Sequence, residues 1–295
     1  MEGRSKKSKV SITKIMDRRT YLISVFEDTL ARIKDDAELT RAEKQSVAAQ
    51  KLILENEPLS IPNPRYADEA QVIVTRNRSF EAAAQYKDQH VCVLNFASAT
   101  NPGGGVTRGS SAQEECLCRC STLYNCLNTR AMWEKFYTPH RHSGNPLHND
   151  DIIFTPNVQV LKDDDYRPLV DPFGVDVITC AAPNLRERPA NPFNPGDGES
   201  VAISPDELLL LHEQRARRIL TVAAQNEADV LILGAFGCGA FRNDPNVVAQ
   251  AYKNVLPEFV HHFQTIEFAV YCPPHDESNY RAFKEIIRAC HTTNT

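Results

Sequence analysis

The chain has 295 residues, 42% hydrophobic and 24% charged, which is enough apolar material for a sizeable core in one large or two small domains. No run of about 18 apolar residues occurs, so no membrane-spanning helix is expected. The opening Met-Glu-Gly-Arg-Ser-Lys-Lys-Ser-Lys lacks the apolar core of a secretory signal, and an intracellular, cytoplasmic location is expected. A net charge of −5 argues against a polyanion groove over the whole surface. Sequence-specific nucleic acid and membrane are therefore not expected partners, and a nucleotide-like ligand must be held locally.

Taken in order, the basic cluster Arg4, Lys6, Lys7 and Lys9 reads as a solvated tail. Residues 10–56 carry helical period: Ile15, Leu22, Val25, Phe26, Leu30 and Ile33, then Thr40-Arg-Ala-Glu43 as a capping box before Val47, Ala48, Leu52 and Leu54. Pro58, Pro62 and Pro64 break this pattern, which divides an N-terminal helical extension, 1–64, from an α/β part, 65–295. Gln71–Thr75 is expected to be its first strand, with Ser79–Tyr86 as the first crossover helix.

Val91-Cys-Val-Leu-Asn-Phe-Ala97 is β-branched and nearly continuous in apolar residues, as a strand covered on both faces should be. Asn101-Pro102 ends it, and Gly103, Gly104 and Gly105 follow. Three residues without Cβ can take positive φ, approach a ligand closely and present N–H groups to anionic oxygens. Seven residues later, Gln113-Glu114-Glu115 opens a helix that is expected to reach about Asn128. Adjacent helical side chains diverge by about 100°. One carboxylate should therefore face the cleft while its neighbour braces the site. A buried carboxyl beside another, near a bound diphosphate, can hold a proton at neutral pH, which points to glycosidic chemistry on a nucleotide sugar.

Met132–Tyr137 continues helical, with Trp133, Phe136 and Tyr137 read as core. Asp151–Leu161 reads as a strand interrupted by a proline, Asp163-Asp164-Asp165 as a solvated turn, and Val175–Ala182 as another buried strand. Asn184, just past its end, could see the cleft. Residues 186–203 read as a long surface loop and a candidate lid. Ser204-Pro-Asp-Glu207 is a capping box opening a helix, and Val230–Leu233 is a fully apolar strand. It delivers Gly234-Ala-Phe-Gly-Cys-Gly-Ala-Phe-Arg-Asn-Asp-Pro245, a second strand, glycine-rich turn and helix start suited to an anion. Thr265–Tyr271 is a last strand and Ser278–Cys290 a closing helix. Tyr280 and Phe283 read as core packing, with an adenine wall as the alternative.

Nine cysteines, an odd number, fall largely in predicted strands and helices and are expected to be reduced. Cys116, Cys118 and Cys120 lie at i, i+2 and i+4, which does not converge three thiols on a metal with His140, His142 or His148. No metal and no cofactor is expected.

Gly103-Gly104-Gly105, seven residues, then Gln113-Glu114-Glu115 resembles the signature of poly(ADP-ribose) glycohydrolases, and Asn95-Phe-Ala-Ser-Ala-Thr-Asn-Pro102 resembles the compact bacterial-type branch of that macrodomain family. The 234–245 segment resembles the family's diphosphate loop. The resemblance covers roughly 65–290 and implies a macrodomain-like three-layer α/β/α sandwich on a mixed sheet. It implies cleavage of ribose–ribose O-glycosidic bonds in poly(ADP-ribose), or in ADP-ribosylated proteins, to release ADP-ribose. Glu115 would be the general acid and base and Glu114 its companion. Gln113, Gly103, Gly104, Gly105, Val106, Asn101, Gly234, Gly237, Cys238, Gly239, Ala240 and Phe241 would bind substrate, with Ser98 a further candidate at the ribose and Phe241 the ring that orients it. Two alternatives keep the cleft: a hydrolase acting on arginine or another ADP-ribosylated side chain, and a non-catalytic ADP-ribose-binding module.

Overall fold

The computed structural model describes residues 17–191, 196–273 and 275–288; the basic tail, Ile15, Cys290 and part of the 186–203 loop lie outside them. The chain begins with helices α1 (Arg18–Asp35) and α2 (Ala37–Ala49), followed by strands β1 (Lys51–Ile53) and β2 (Gln71–Thr75). Next come α3 (Ser79–Ala84), β3 (Val91–Phe96), α4 (Gln113–Cys120), α5 (Leu123–Leu127), α6 (Arg130–Met132) and α7 (Thr138–Ser143). The remainder comprises β4 (Ile152–Lys162), β5 (Pro168–Cys180), α8 (Pro205–Gln225), β6 (Val230–Leu233), α9 (Pro245–Val255), β7 (Thr265–Ala269) and α10 (Ser278–Arg288).

The strands form one mixed sheet in the order β1-β4-β5-β3-β6-β7-β2. β5, β3, β6, β7 and β2 run parallel, while β1 and β4 add antiparallel strands at one edge. Side chains alternate between faces along each strand, so one strand feeds two cores. Cys92, Leu94, Leu231 and Leu233 pack with α8, α9 and α10 on one side. Val91, Val93, Val230 and Ile232 pack with α3, α4 and α5 on the other. This is the expected three-layer α/β fold.

Three local expectations are corrected. The cap of α2 is Asp36, whose carboxylate accepts from Glu38 and Leu39 N–H; Thr40 lies inside the helix and donates to Ile33 O instead of capping. Residues 51–53, read as helix, pair with β4 as an edge strand. The helix expected to run to Asn128 breaks at Ser121, which is extended and bridges to Val160. The proline interruption of β4 is a register shift between Thr155 and Val158.

Helix α1 buries Leu22, Val25, Phe26, Thr29 and Ile33. Thr29 Oγ1 donates to Arg119 O at the end of α4, and the buried Lys162 ammonium donates to Val25 O and Thr29 Oγ1 while pairing with Asp28 at 2.7 Å. A buried cation with three partners is satisfied, and removing it would leave acceptors stranded. These bonds tie α1 to the helix that carries the two glutamates.

Candidate functional site

β3 and β6 are parallel neighbours, so the loops that leave their C-terminal ends emerge side by side. The first turn of α4 lies against the loop after β3. Around them is a cavity of about 810 Å³, lined by Ser98, Gly104, Gly105, Gln113, Glu114 and Glu115 on one side and by Gly237, Gly239, Ala240 and Phe241 on the other. That is within the size range of small-molecule sites.

Both carboxylates reach the cavity, but each is held differently. Glu114, 3% exposed, accepts the Ser98 N–H at 2.8 Å and the Asn95 amide at 3.3 Å, which anchors it to the end of β3. Its pKa is pushed up to about 8, chiefly by burial; the Ser98 N–H opposes this and the neighbouring Glu115 adds to it. Glu114 therefore keeps its proton at neutral pH. Glu115, 7% exposed, accepts the Gly105 N–H at 2.8 Å through Oε1. Its Oε2 is buried without a hydrogen-bond partner among the described residues. A buried carboxyl oxygen at a cavity wall, left unpaired by the protein, can take or give a hydrogen bond to a group placed in the cavity.

The triple-glycine turn does something other than cradle an anion. Gly104 N–H donates to Asn101 O, Gly105 N–H to Glu115 and Val106 N–H to Gly103 O, so these donors point inward. Gly103 and Val106 are buried, and a Cβ on Gly103 would meet Tyr124, Val106 and Cys118. Gly104, at φ +56°, lets Glu115 Oε1 approach to 2.6 Å from where a Cβ would sit. The turn thus fixes the carboxyls, and the N–H groups of Gly104, Gly105 and Val106, expected at the diphosphate, are engaged within the protein. Gln113 is likewise engaged with the protein: its oxygen accepts Phe96 N–H, and its amide nitrogen donates to Leu94 O and Ser79 Oγ. The Asn101 carboxamide oxygen accepts from Arg141 Nη2 and its nitrogen donates to Thr100 Oγ1.

The second loop keeps donors available. Among the described residues no protein acceptor meets the N–H of Gly237, Gly239, Ala240 or Phe241, and all four residues line the cavity. Gly234 sits behind them, its missing Cβ making room for Ala269 O and the Phe96 ring, and the Cys238 thiol turns back to Phe236 O. Phe241 is half-buried, with the Arg186 guanidinium 5.5 Å from its ring centroid.

Comparison with known proteins decides the family. The sequence profile of the microbial-type PARG catalytic domain matches residues 11–163, a span that includes Gly103–Glu115 and stops short of the second loop. The chain belongs to the microbial-type poly(ADP-ribose) glycohydrolases. It is a hydrolase of that family, and solved structures agree. The Thermomonospora curvata glycohydrolase is 27% identical with a TM-score of 0.78, covering 91% of this chain and 100% of that one. The same enzyme bound to the inhibitor ADP-HPD gives 27% and 0.75, covering 90% and 99%. The Deinococcus radiodurans glycohydrolase in complex with ADP-ribose is 33% identical with a TM-score of 0.72, covering 84% and 97%. Curated protein sequences give no match.

This glycohydrolase lines its cavity with groups that sequence reading missed. Arg18, Arg19, Arg78, Arg108 and Arg186 bring positive charge, and Phe96, Tyr166 and Tyr271 bring rings. Arg78 stacks 4.4 Å from the Tyr271 ring centroid and donates to Asp164 O. Tyr271, half exposed, lines the cavity, whereas Tyr280 and Phe283 are 8% and 0% exposed and belong to the core under α10, as expected. Asn184 is fully buried and donates to Asp197 rather than facing the cavity. The Cys116, Cys118 and Cys120 thiols diverge: Cys116 lies 3.5 Å from the Tyr166 hydroxyl, Cys118 packs in the core, and Cys120 donates to Asp163 O. Among the described residues no group of three His, Cys, Asp or Glu could hold a metal ion, and no helix is long and apolar enough to cross a membrane.

Proposed function

We propose that this chain cleaves the ribose–ribose O-glycosidic bond of poly(ADP-ribose) and releases ADP-ribose, with Glu115 as the reacting carboxyl. The observation that carries this reading is the Glu115 side chain, pinned through one oxygen by Gly105 N–H while the other oxygen is buried at the cavity wall without a partner. The diphosphate lies on the N–H groups of Gly237 and Gly239–Phe241, beside Arg186. Phe241 packs on the ribose and holds its anomeric carbon toward Glu115.

Glu115 gives its proton to the leaving ribose oxygen as positive charge develops at the anomeric carbon, then as carboxylate takes a proton from the attacking water. Glu114, kept neutral by burial, avoids a second full negative charge beside it and remains a donor for a ribose hydroxyl. Gln113 acts at one remove, fixing the end of β3 to the start of α4. In the same reading residues 1–64 form an extension on a catalytic domain, 65–295, supported by the bonds of Thr29 and Lys162.

The test offers poly(ADP-ribose), an arginine-linked mono-ADP-ribosyl protein and free ADP-ribose to wild type and Glu115→Gln. Polymer breakdown to ADP-ribose, lost in the variant while ADP-ribose still protects it thermally, is the expected result. Release from arginine alone, or binding without turnover in wild type, would overturn the reading.

A further inference from the structure

Asn243 follows the second loop, is 2% exposed and does not line the cavity. Its side-chain nitrogen donates to Pro183 O at 2.7 Å, Gly237 O at 3.1 Å and, at the longer 3.4 Å, Phe241 O. Three carbonyl acceptors on one side fix which end of the amide is nitrogen. The oxygen therefore faces His212 Nε2, 2.8 Å away on α8, and that nitrogen must carry a proton. Burial drives the His212 pKa down to about 4, so the ring is neutral and its single proton sits on Nε2. Gly237 has φ +78°, and a Cβ there would lie 2.6 Å from Ala182 and 2.7 Å from the Asn243 amide nitrogen. The loop is thus closed on itself from Gly237 to Phe241 and clamped to the end of β5 and to α8 by one carboxamide.

We infer that Asn243, oriented by His212, is a positioning residue that sets the second loop to receive a diphosphate, acting through the backbone it holds rather than by touching the ligand. The inference rests on the ligand reading above and adds the device that makes the loop's N–H groups converge. Preorganised donors cost no rearrangement on binding, so their loss should appear as affinity for the diphosphate. Substituting alanine keeps the Asn243 N–H bond to Gly237 O and the Leu185 N–H bond to Phe241 O but strands the carbonyl of Pro183 and removes the side-chain tie between the two ends of the loop.

Calorimetric titration of ADP-ribose and of adenosine into wild type, Asn243→Ala, His212→Leu and His212→Gln tests this. Asn243→Ala should bind ADP-ribose roughly ten- to a hundredfold more weakly, with adenosine unaffected and with KM for polymer rising more than kcat falls. His212→Leu should lose part of the affinity and His212→Gln should recover it, because its amide again donates to Asn243. Undiminished ADP-ribose affinity in Asn243→Ala, or equal losses of ADP-ribose and adenosine, would overturn the inference. If Asn243→Ala fails to fold, the histidine pair decides: equal affinities in Leu and Gln overturn it. Wild type that binds no ADP-ribose overturns the ligand reading itself, before any variant is compared.

Discussion

Alanine at Gly104 tests whether the triple-glycine turn serves the carboxyls. Two costs separate cleanly. Gly104 has φ +56°, and an L residue in that region loses about 1–2 kcal/mol. The added Cβ would also stand 2.6 Å from Glu115 Oε1 and 3.1 Å from Glu114 Oε2. Glu115 must retreat by about 0.8 Å to reach ordinary contact, and a displacement near 1 Å at a reacting group costs on the order of a hundredfold in rate. Gly144 supplies the control: its φ is +60°, nothing lies within 4 Å of a Cβ there, and it is away from the cavity lining. Chemical denaturation should show similar stability losses for Gly104→Ala and Gly144→Ala. Steady-state assay with poly(ADP-ribose) should show the hundredfold fall in kcat for Gly104→Ala alone. Near-normal turnover in Gly104→Ala, or an equal fall in Gly144→Ala, would refute the reasoning.

Glu114 has a pKa raised above its unfolded value, so the stability tied to its proton is present at low pH and lost as pH climbs from about 4.5 through about 8. Urea denaturation of Glu114→Gln between pH 5 and pH 9 should lose that part of the slope; an unchanged slope would contradict the burial argument. Tyr271→Ala should leave stability almost untouched and weaken ADP-ribose binding about tenfold, since a ring stacked by Arg78 at the cavity edge is removed. Phe283→Ala should instead cost about 3–5 kcal/mol of stability, because that ring is fully buried under α10. Calorimetry and thermal unfolding on the same two variants check both, and reversed outcomes would return the adenine wall to α10.

Elements whose cause is local were legible in the chain. Gln71–Thr75 and Val230–Leu233 are strands over the residues expected from their apolar runs. Ser204 and Glu207 form the capping box, and Asp244 caps α9 ahead of Pro245. What escaped depended on distant partners. Lys51–Ile53 is a strand because β4 lies beside it, and three residues of mixed polarity carry no period of their own. The triple glycine announced conformational freedom but not direction: the Gly104 and Gly105 N–H groups turn toward Asn101 O and Glu115 because α4 packs there. Arg18 and Arg78 reach the cavity from α1 and from the start of α3, far from either motif. Tyr271 and Tyr280 flank the same break, and only packing of α10 decides which one is covered.

In the proposed reaction the reacting sugar sits between Glu115 and the second loop. A crystal structure of Glu115→Gln with ADP-ribose tests it most directly. The diphosphate oxygens should lie within hydrogen-bonding distance of the N–H groups of Gly239, Ala240 or Phe241, and the terminal ribose between residue 115 and the Phe241 ring. A diphosphate bound elsewhere, or a residue 115 side chain turned away from that ribose, would contradict it.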